Sequence, residues 1–310
     1  MVDRAETAAP PAMQAPDVMG RLRALFLRSE TLRGYTLLSP TLIVMAITMC
    51  APFALMVAYS FWTQDYLTID RSLTLANYQQ AFERPIYRAL LFRSLWVSGT
   101  VTVTTVLLAY PMAYFVAFHV HKNKLFWIIF MTLPFWSSYL LRVFAWKIIL
   151  GYKGVINQSL IDFGIIHEPL SFILYNPTSV VITLAHAWAA FAILPIYVSL
   201  EKIDRSLLEA ATDLGDGPMA RFLRVTLPLS MPGVIAASLM IFIPTVADYV
   251  TPTLVGGPDG LMISNLIQTQ FGRGNNWPLG ATLAAIVMVI LAMISVAYMW
   301  LTRKLTERIA

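Results

Sequence analysis

Six long apolar segments dominate this sequence and limit what it can fold into. They are 36–61, 89–118, 126–150, 178–200, 229–250 and 279–301. Each reaches the length of ~20 residues that a helix needs to cross the ~30 Å hydrocarbon core of a bilayer. Such long, continuous segments do not resemble the short alternating strands of a membrane β-barrel. Because 58% of the 310 residues are apolar and only 13% are charged, we predict an all-α, polytopic transmembrane helical bundle with six spans.

The first 34 residues are polar or only weakly amphipathic and differ from the rest of the chain. Three prolines lie near the start, and RLRALFLRSETLRG follows at 21–34. We interpret 1–20 as a disordered tail and 21–34 as a short basic helix at the membrane surface. A secretory signal would place its apolar stretch earlier, so we expect the first span to be retained. The predicted organisation is a cytoplasmic unit at 1–34, followed by a six-span domain at 35–310.

The distribution of Lys and Arg predicts the orientation of the chain. Short loops that carry most of the cations face the cytoplasm. If the N-terminus is cytoplasmic, the inside segments contain most of the Lys and Arg, including Lys122, Lys124, Arg221, Arg224 and Arg303. We therefore expect both termini in the cytoplasm. The net charge of +5 reflects this topology and does not indicate nucleic acid as a partner.

The stretch EAATDLGDGPMARFLRVTLPLSMPG, residues 209–233, is polar and interrupted by proline and glycine between two apolar segments. Ser206 and Glu209 have the spacing of a capping box that begins a helix. Gly215 suits a left-handed helix end, and Pro218 suits the first turn of a second helix. We expect that second helix to end near Pro228. Both helices are too short to span, which predicts a helix–turn–helix at the cytoplasmic surface.

The residues of this stretch resemble the EAA loop of ABC importer permeases. Glu-Ala-Ala at 209–211 is followed after three residues by Gly215, and nine residues later by Val225, where the family usually has isoleucine. The resemblance implies that the loop at 201–228 forms a coupling helix that docks in a groove of a cytoplasmic ATPase. The implied ATPase-coupling residues are Glu209, Ala210, Ala211, Gly215, Leu227 and Pro228. The alternative is that Glu209 only caps its helix and Gly215 only ends it; we expect both roles together.

The chain shows no sign of enzymatic activity. It lacks the phosphate-binding pattern G-x-x-x-x-G-K-[ST], its four histidines lack the spacing of a metal site, and we expect it to bind no cofactor. The resemblance implies that ATP and Mg are bound by a partner ATPase dimer. It also implies a second permease subunit in a heterodimer, a periplasmic solute-binding protein, and a location in the bacterial inner (plasma) membrane.

Three further stretches are similar to the spermidine/putrescine branch of these permeases. They are LPFWSSYLLRVFAWKIIL at 133–150, ILPIYVSLEKIDRSLLEAATDLG at 193–215 and IPTVADYVTPTLVGG at 243–257. The resemblance covers roughly residues 90–300. It implies transport of polyamines or a similar small organic cation.

Asp248 lies near the outer end of the fifth span, between Pro244 and Pro252. A carboxylate at membrane depth costs ~2.5–3.5 kcal/mol on insertion scales and is by default a functional hypothesis. Each proline removes a backbone donor and loosens the helix, and aromatic faces attract ammonium groups. The predicted substrate path therefore consists of Asp248, Tyr249, Trp136 and Tyr139.

Several alternatives stay open at this point. Asp248 could pair with Arg142 or Lys147, or cap a helix end, and the aromatic residues could simply face lipid or the interface. The same architecture could carry an anionic or zwitterionic solute, using Arg142 and Lys147. An ion-coupled secondary transporter, with Asp248 as its coupling carboxylate, would need no ATPase.

Overall fold

The computed structural model describes residues 29–66, 68–173 and 175–309. The predicted tail at 1–20 and residues 21–28 of the predicted surface helix lie outside these ranges. The first described helix, α1 (Glu30–Ser60), includes residues 30–34, the last part of that predicted surface helix. The chain divides into two compact units, Met1–Met56 and Val57–Ala310. Every site described below lies in the second unit.

Helices form most of the described second unit. They are α2 (Ala76–Glu83), α3 (Pro85–Tyr114), α4 (Lys124–Thr132), α5 (Tyr139–Leu150), α6 (Val155–Asp162), α7 (Pro177–Ala187), α8 (Ala189–Glu201), α9 (Arg205–Asp213), α10 (Pro218–Arg221), α11 (Leu227–Ala247), α12 (Ile263–Phe271) and α13 (Trp277–Ile309). π-helical turns occur at Phe115–His119, Phe222–Thr226 and Pro252–Gly256. Strands β1 (Thr63–Asp65) and β2 (Thr68–Asp70) form a small antiparallel hairpin, with Thr63 opposite Asp70.

Four described helical segments are long and apolar enough to cross a membrane: Gly34–Ser60, Pro85–His119, Pro218–Ala247 and Trp277–Lys304. Two bent pairs complete the set if each is counted as one span, which gives six. Lys124–Trp136 and Tyr139–Asp162 meet at 81°, and Pro177–Ala187 and Ala189–Glu201 meet at 47°. The all-α polytopic prediction is confirmed. The third and fourth predicted spans, however, are broken helices.

Proline and serine explain the break in the third span. Pro134 lies in the short 3₁₀ turn Leu133–Trp136, and the backbone of Ser137 and Ser138 is extended or nearly so (ψ 157° and 133°) before α5 begins. Proline and Gly/Ser pairs are common causes of sharp helix bends. A run of apolar residues indicates burial in lipid or protein, but it does not show whether the helix is continuous.

Helices α3, α8 and α11 pack together to form the centre of the bundle. Val101, Ile196 and Ile241 are completely buried in the main apolar cluster. α11 approaches α8 closely at Gly233, where an added Cβ would lie 2.5 Å from the carbonyl oxygen of Pro195. Small residues allow such close contact, which is a main source of helix association within membranes.

We expect Gly233→Ala to lower the thermal stability of the detergent-solubilised protein, because the new methyl group overlaps the backbone of α8. Overpacking of this kind costs ~1–3 kcal/mol. Gly99→Ala is the matched control, since nothing lies within 4 Å of a Cβ added on α3 at that position. Equal melting temperatures for the two variants would contradict the close packing of α8 and α11.

Candidate functional site

The polar stretch begins with helix α9, whose first turn is capped by Asp204. The Asp204 carboxylate accepts a hydrogen bond from the backbone N–H of Ser206 at 3.0 Å. This bond, together with one from the Ser206 hydroxyl, holds the pKa of the Asp204 carboxyl below its usual value. The predicted capping box of Ser206 and Glu209 is wrong. Aspartate is as strong an N-cap as serine, and the chain leaves helical geometry at Asp204.

The end of α9 is the predicted left-handed stop. Gly215 has φ +90°, its N–H donates to the carbonyl of Thr212 at 2.9 Å, and the N–H of Asp216 donates to that of Ala211 at 3.0 Å. These two bonds define a Schellman motif. Gly217 is extended, and Pro218 occupies the first turn of α10, as the sequence indicated. We call residues 204–221 the elbow.

The predicted end of the second helix near Pro228 is wrong. The chain continues from α10 through the π turn Phe222–Thr226 into α11, and Pro218–Ala247 forms one candidate span. Pro228 has no N–H to give to the carbonyl of Arg224, four residues earlier. A π turn at this position accommodates the missing bond without ending the helix. Leu227 and Pro228 are therefore half-buried residues of the span and lie outside the elbow.

The elbow presents part of the motif to its surroundings and buries another part. Glu209, Ala210 and Gly215 are exposed, whereas Ala211 is buried. Two arginines hold the turn in place. Arg221 donates to the hydroxyl of Thr212 at 2.9 Å, and Arg224 pairs with Asp216 at 2.8 Å. The exposed motif residues thus lie beside a turn that is held by two arginines from the segment that follows it.

A groove of about 380 Å³ separates α9 from the end of α3. Its lining carries both signs of charge and is formed by Tyr114, Phe118, His119, Arg205, Leu208, Glu209, Thr212, Asp213 and Arg221. Near this groove, Lys124 at the start of α4 donates to both carboxylate oxygens of Glu201, at 2.7 and 2.8 Å, and to the carbonyl of Ala117 at 3.0 Å. These bonds connect α4, the end of α8 and the π turn after α3.

The second group of predicted residues surrounds a break at the other end of α11. α11 ends at Ala247, and Asp248 has an extended backbone (φ −74°, ψ 122°). We call residues 248–251 the helix break. One carboxylate oxygen of Asp248, Oδ1, accepts from the N–H groups of Val250 at 2.9 Å and Thr251 at 3.4 Å. The other, Oδ2, accepts from the hydroxyl of Tyr139 on α5 at 2.6 Å. Asp248 is nine-tenths buried.

Side chains from α12 form hydrogen bonds with the chain at the break. Pro252 cannot donate to the carbonyl of Asp248, four residues earlier. The Ser264 hydroxyl donates to that carbonyl at 2.6 Å. The Asn265 side-chain amide donates to the carbonyl of Tyr249 and to the hydroxyl of Thr253, both at 2.8 Å. The break is consequently fixed to the first turn of α12.

The structure brings together some of the four predicted path residues and separates one. Tyr139 and Asp248 are in direct contact, and Tyr249 lines an adjoining cavity of about 610 Å³. Trp136 lies in the 3₁₀ turn before α5 and is 76% exposed. Among the described residues that line the cavity, Arg273 alone is charged.

The sequence interpretation missed three polar residues at the break: Thr251, Ser264 and Asn265. The Thr251 hydroxyl lies 2.6 Å from that of Tyr139. The position of Thr251 three residues after Asp248, just before a proline, is a local signal that could have identified it. Ser264 and Asn265 are separated from the break by a glycine-rich loop, so their contacts depend on tertiary folding.

The structure distinguishes between the readings of Asp248 as an ion-pair partner and as a helix cap. Among the described residues, neither Arg142 nor Lys147 forms an ion pair with Asp248, so the pairing of Asp248 with either of them is wrong. The Arg142 guanidinium lies 5.2 Å from the centre of the Phe135 ring and donates to the carbonyl of Ala187 at 3.5 Å. The capping reading is confirmed by the two backbone bonds to Oδ1.

Comparison with known proteins identifies the family. Residues 42–310 match the family model described as binding-protein-dependent transport system inner membrane component. The spermidine/putrescine transport system permease protein PotB of Haemophilus influenzae is 35% identical over 259 residues, which cover 83% of this chain and 90% of the relative. PotB of Escherichia coli is 33% identical, covering 83% and 94%.

The fold is also found in a solved transporter. A bacterial alginate ABC transporter, crystallised in complex with an alginate-bound periplasmic protein, has a chain that aligns with a TM-score of 0.70. The alignment covers 93% of this chain and 99% of that one, at 17% identity, and so supports the architecture alone. The chain belongs to the binding-protein-dependent transport system inner membrane components, and it is a multi-pass permease subunit of an ABC importer.

Proposed function

We propose that this permease subunit imports polyamines, such as spermidine and putrescine, or a similar small organic cation. The main supporting observation is the buried carboxylate of Asp248, which lies at a helix break and has no cationic partner among the described residues. A charge at membrane depth usually faces a partner or a transport pathway. The similarity to the PotB proteins supports the same substrate class.

The proposed complex contains three kinds of partner. A cytoplasmic ATPase dimer binds ATP and Mg²⁺ and receives the elbow, with the exposed Glu209, Ala210 and Gly215 at the contact and the buried Ala211 supporting them from below. A second permease subunit forms a heterodimer with this chain, and a periplasmic solute-binding protein delivers the cation. Both termini and the elbow lie on the cytoplasmic side. Leu227 and Pro228 act through the helix that follows the elbow.

The continuous helix from Pro218 to Ala247 connects the two sites. Its 30 residues span roughly 45 Å at 1.5 Å per residue, from the elbow to the helix break. Movement of the elbow by the ATPase is thereby passed along one helix to Asp248, while the Lys124–Glu201 pair joins α8 and α4 to the same end. ATP can drive this change only if it binds the two conformations with different affinity.

Asp248→Asn tests the substrate class. We expect it to lower spermidine uptake at least tenfold in cells that carry the complete transporter, because the amide keeps the acceptor but loses the charge. Asp259→Asn, at an exposed aspartate beyond the break, should leave uptake unchanged. Membrane levels of all three proteins are compared by immunoblot.

Three outcomes of this experiment separate the proposals. Loss of spermidine uptake at an unchanged protein level supports a cationic substrate. Normal uptake in Asp248→Asn would mean that Asp248 is purely structural. Uptake of a zwitterionic amino acid or of an organic anion by the wild-type transporter, with no uptake of spermidine, would assign the anionic or zwitterionic cargo.

Gly215 tests the coupling role. Gly215→Val places a β-branched residue at φ +90°, a conformation that costs such residues ~1–3 kcal/mol. We expect the Schellman end of α9 to be lost, with weaker ATPase co-purification and uptake reduced several-fold. Gly215→Asn is the matched control, because asparagine tolerates a left-handed conformation and the position is open to solvent.

The membrane level of each Gly215 variant shows whether the protein folds and inserts. Both variants should insert to the wild-type level, since a Cβ at Gly215 meets nothing within 4 Å. Wild-type ATPase binding and uptake in Gly215→Val would contradict the proposed docking role of the elbow.

A further inference from the structure

The two oxygens of the Asp248 carboxylate have different kinds of partner. Oδ1 accepts from Val250 and Thr251, whose N–H groups belong to the same turn of the chain. Release of these bonds would leave two buried or half-buried backbone N–H groups without their acceptor, which is costly. Oδ2 accepts from Tyr139, which is 109 residues away in sequence and lies on another helix. Oδ2 is therefore the position at which a partner can be exchanged.

Tyr139 also has a second polar neighbour to which it can turn. Its oxygen lies 2.6 Å from the Thr251 hydroxyl as well as 2.6 Å from Asp248 Oδ2. A phenol has one hydrogen to donate. While Tyr139 donates that hydrogen to Asp248 Oδ2, the Thr251 hydroxyl donates to the phenol oxygen.

Tyr139 can change partner and still keep a hydrogen bond. When another donor reaches Oδ2, the phenol hydrogen turns to Thr251 Oγ1, which lies 2.6 Å away. The ring of Tyr139 packs against Trp188, with centroids 5.9 Å apart and 28° between the planes, and a tilt of the ring toward Thr251 moves the phenol oxygen away from Oδ2.

We propose that Tyr139 is a reversible block of the cation site. Its hydroxyl occupies the position on Asp248 Oδ2 that a substrate ammonium takes. An arriving ammonium displaces the phenol, which Thr251 then accepts as its new partner. The ammonium brings a full positive charge to the carboxylate, whereas the phenol brings only a dipole. This inference rests on the proposed cationic substrate and assigns specificity to Tyr139 and Thr251. A neutral or anionic solute lacks the charge that displaces the phenol.

Two substitutions should change polyamine affinity in opposite directions. Tyr139→Phe keeps the stacked ring but removes the block, so spermidine should bind roughly tenfold more tightly, as expected for the loss of one competing charge-assisted hydrogen bond. Thr251→Val keeps the backbone N–H and the side-chain shape but removes the acceptor that receives the phenol. It should therefore weaken binding several-fold. The measurement is equilibrium binding of radiolabelled spermidine to the complete transporter in nanodiscs, without the solute-binding protein.

Tyr110→Phe is the matched control. It removes a hydroxyl that bonds to Ser230 at 2.8 Å, between α3 and α11 and away from the break. It should leave spermidine affinity unchanged, and the melting temperatures of all variants show whether folding is affected. A purely structural role for Tyr139 and Thr251 would shift both variants in the same direction.

The outcomes separate this inference from the proposed function. If wild-type protein binds spermidine and Asp248→Asn does not, but Tyr139→Phe and Thr251→Val bind like wild type, the block is contradicted and the cationic substrate stands. If wild-type transporter neither binds nor imports any polyamine, both are overturned. Opposite shifts in the two variants support the block.

Discussion

The structure depends on how a helix can break within a membrane and still satisfy its backbone polar groups. Unpaired N–H and C=O groups are costly in hydrocarbon, and Pro252 leaves the carbonyl of Asp248 without its helical donor. The side chain of Asp248 caps the next turn, and the Ser264 hydroxyl donates a hydrogen bond to the carbonyl of Asp248. The third partner, Tyr139, comes from another helix. The buried carboxylate of Asp248 thus caps the chain at the break, and we propose that it also recognises a cation there.

The proposed coupling depends on the helix that joins the elbow to the break. The elbow and the break are the two ends of one helix, from Pro218 to Ala247. The π turn at Phe222–Thr226 keeps this helix continuous beside Pro228. Arg221 and Arg224 fix the elbow on one side, and α12 fixes the break on the other. In the proposed mechanism, a displacement at the elbow is passed along this helix to Asp248.

Local chemistry could be predicted from the sequence, whereas tertiary register could not. Gly215 was identifiable because a left-handed helix end favours glycine, and the break was identifiable from Pro244, Asp248 and Pro252. The choice of Asp204 over Ser206 as the cap depends on where the chain leaves α8. Continuity past Pro228 depends on a π turn for which the pattern gave no sign. The contact between Tyr139 and Asp248 joins residues on separate helices, and only the packing of α5 against the break determines it.

We propose that this chain supplies the transport pathway and that a separate ATPase supplies the work. The most direct measurement is spermidine uptake into liposomes that contain the purified chain alone, or the chain with its second permease and ATPase, with the solute-binding protein and ATP present or absent. We expect uptake only in the complete assembly and only with ATP. Accumulation of spermidine by the chain alone, driven by an ion gradient, would contradict it.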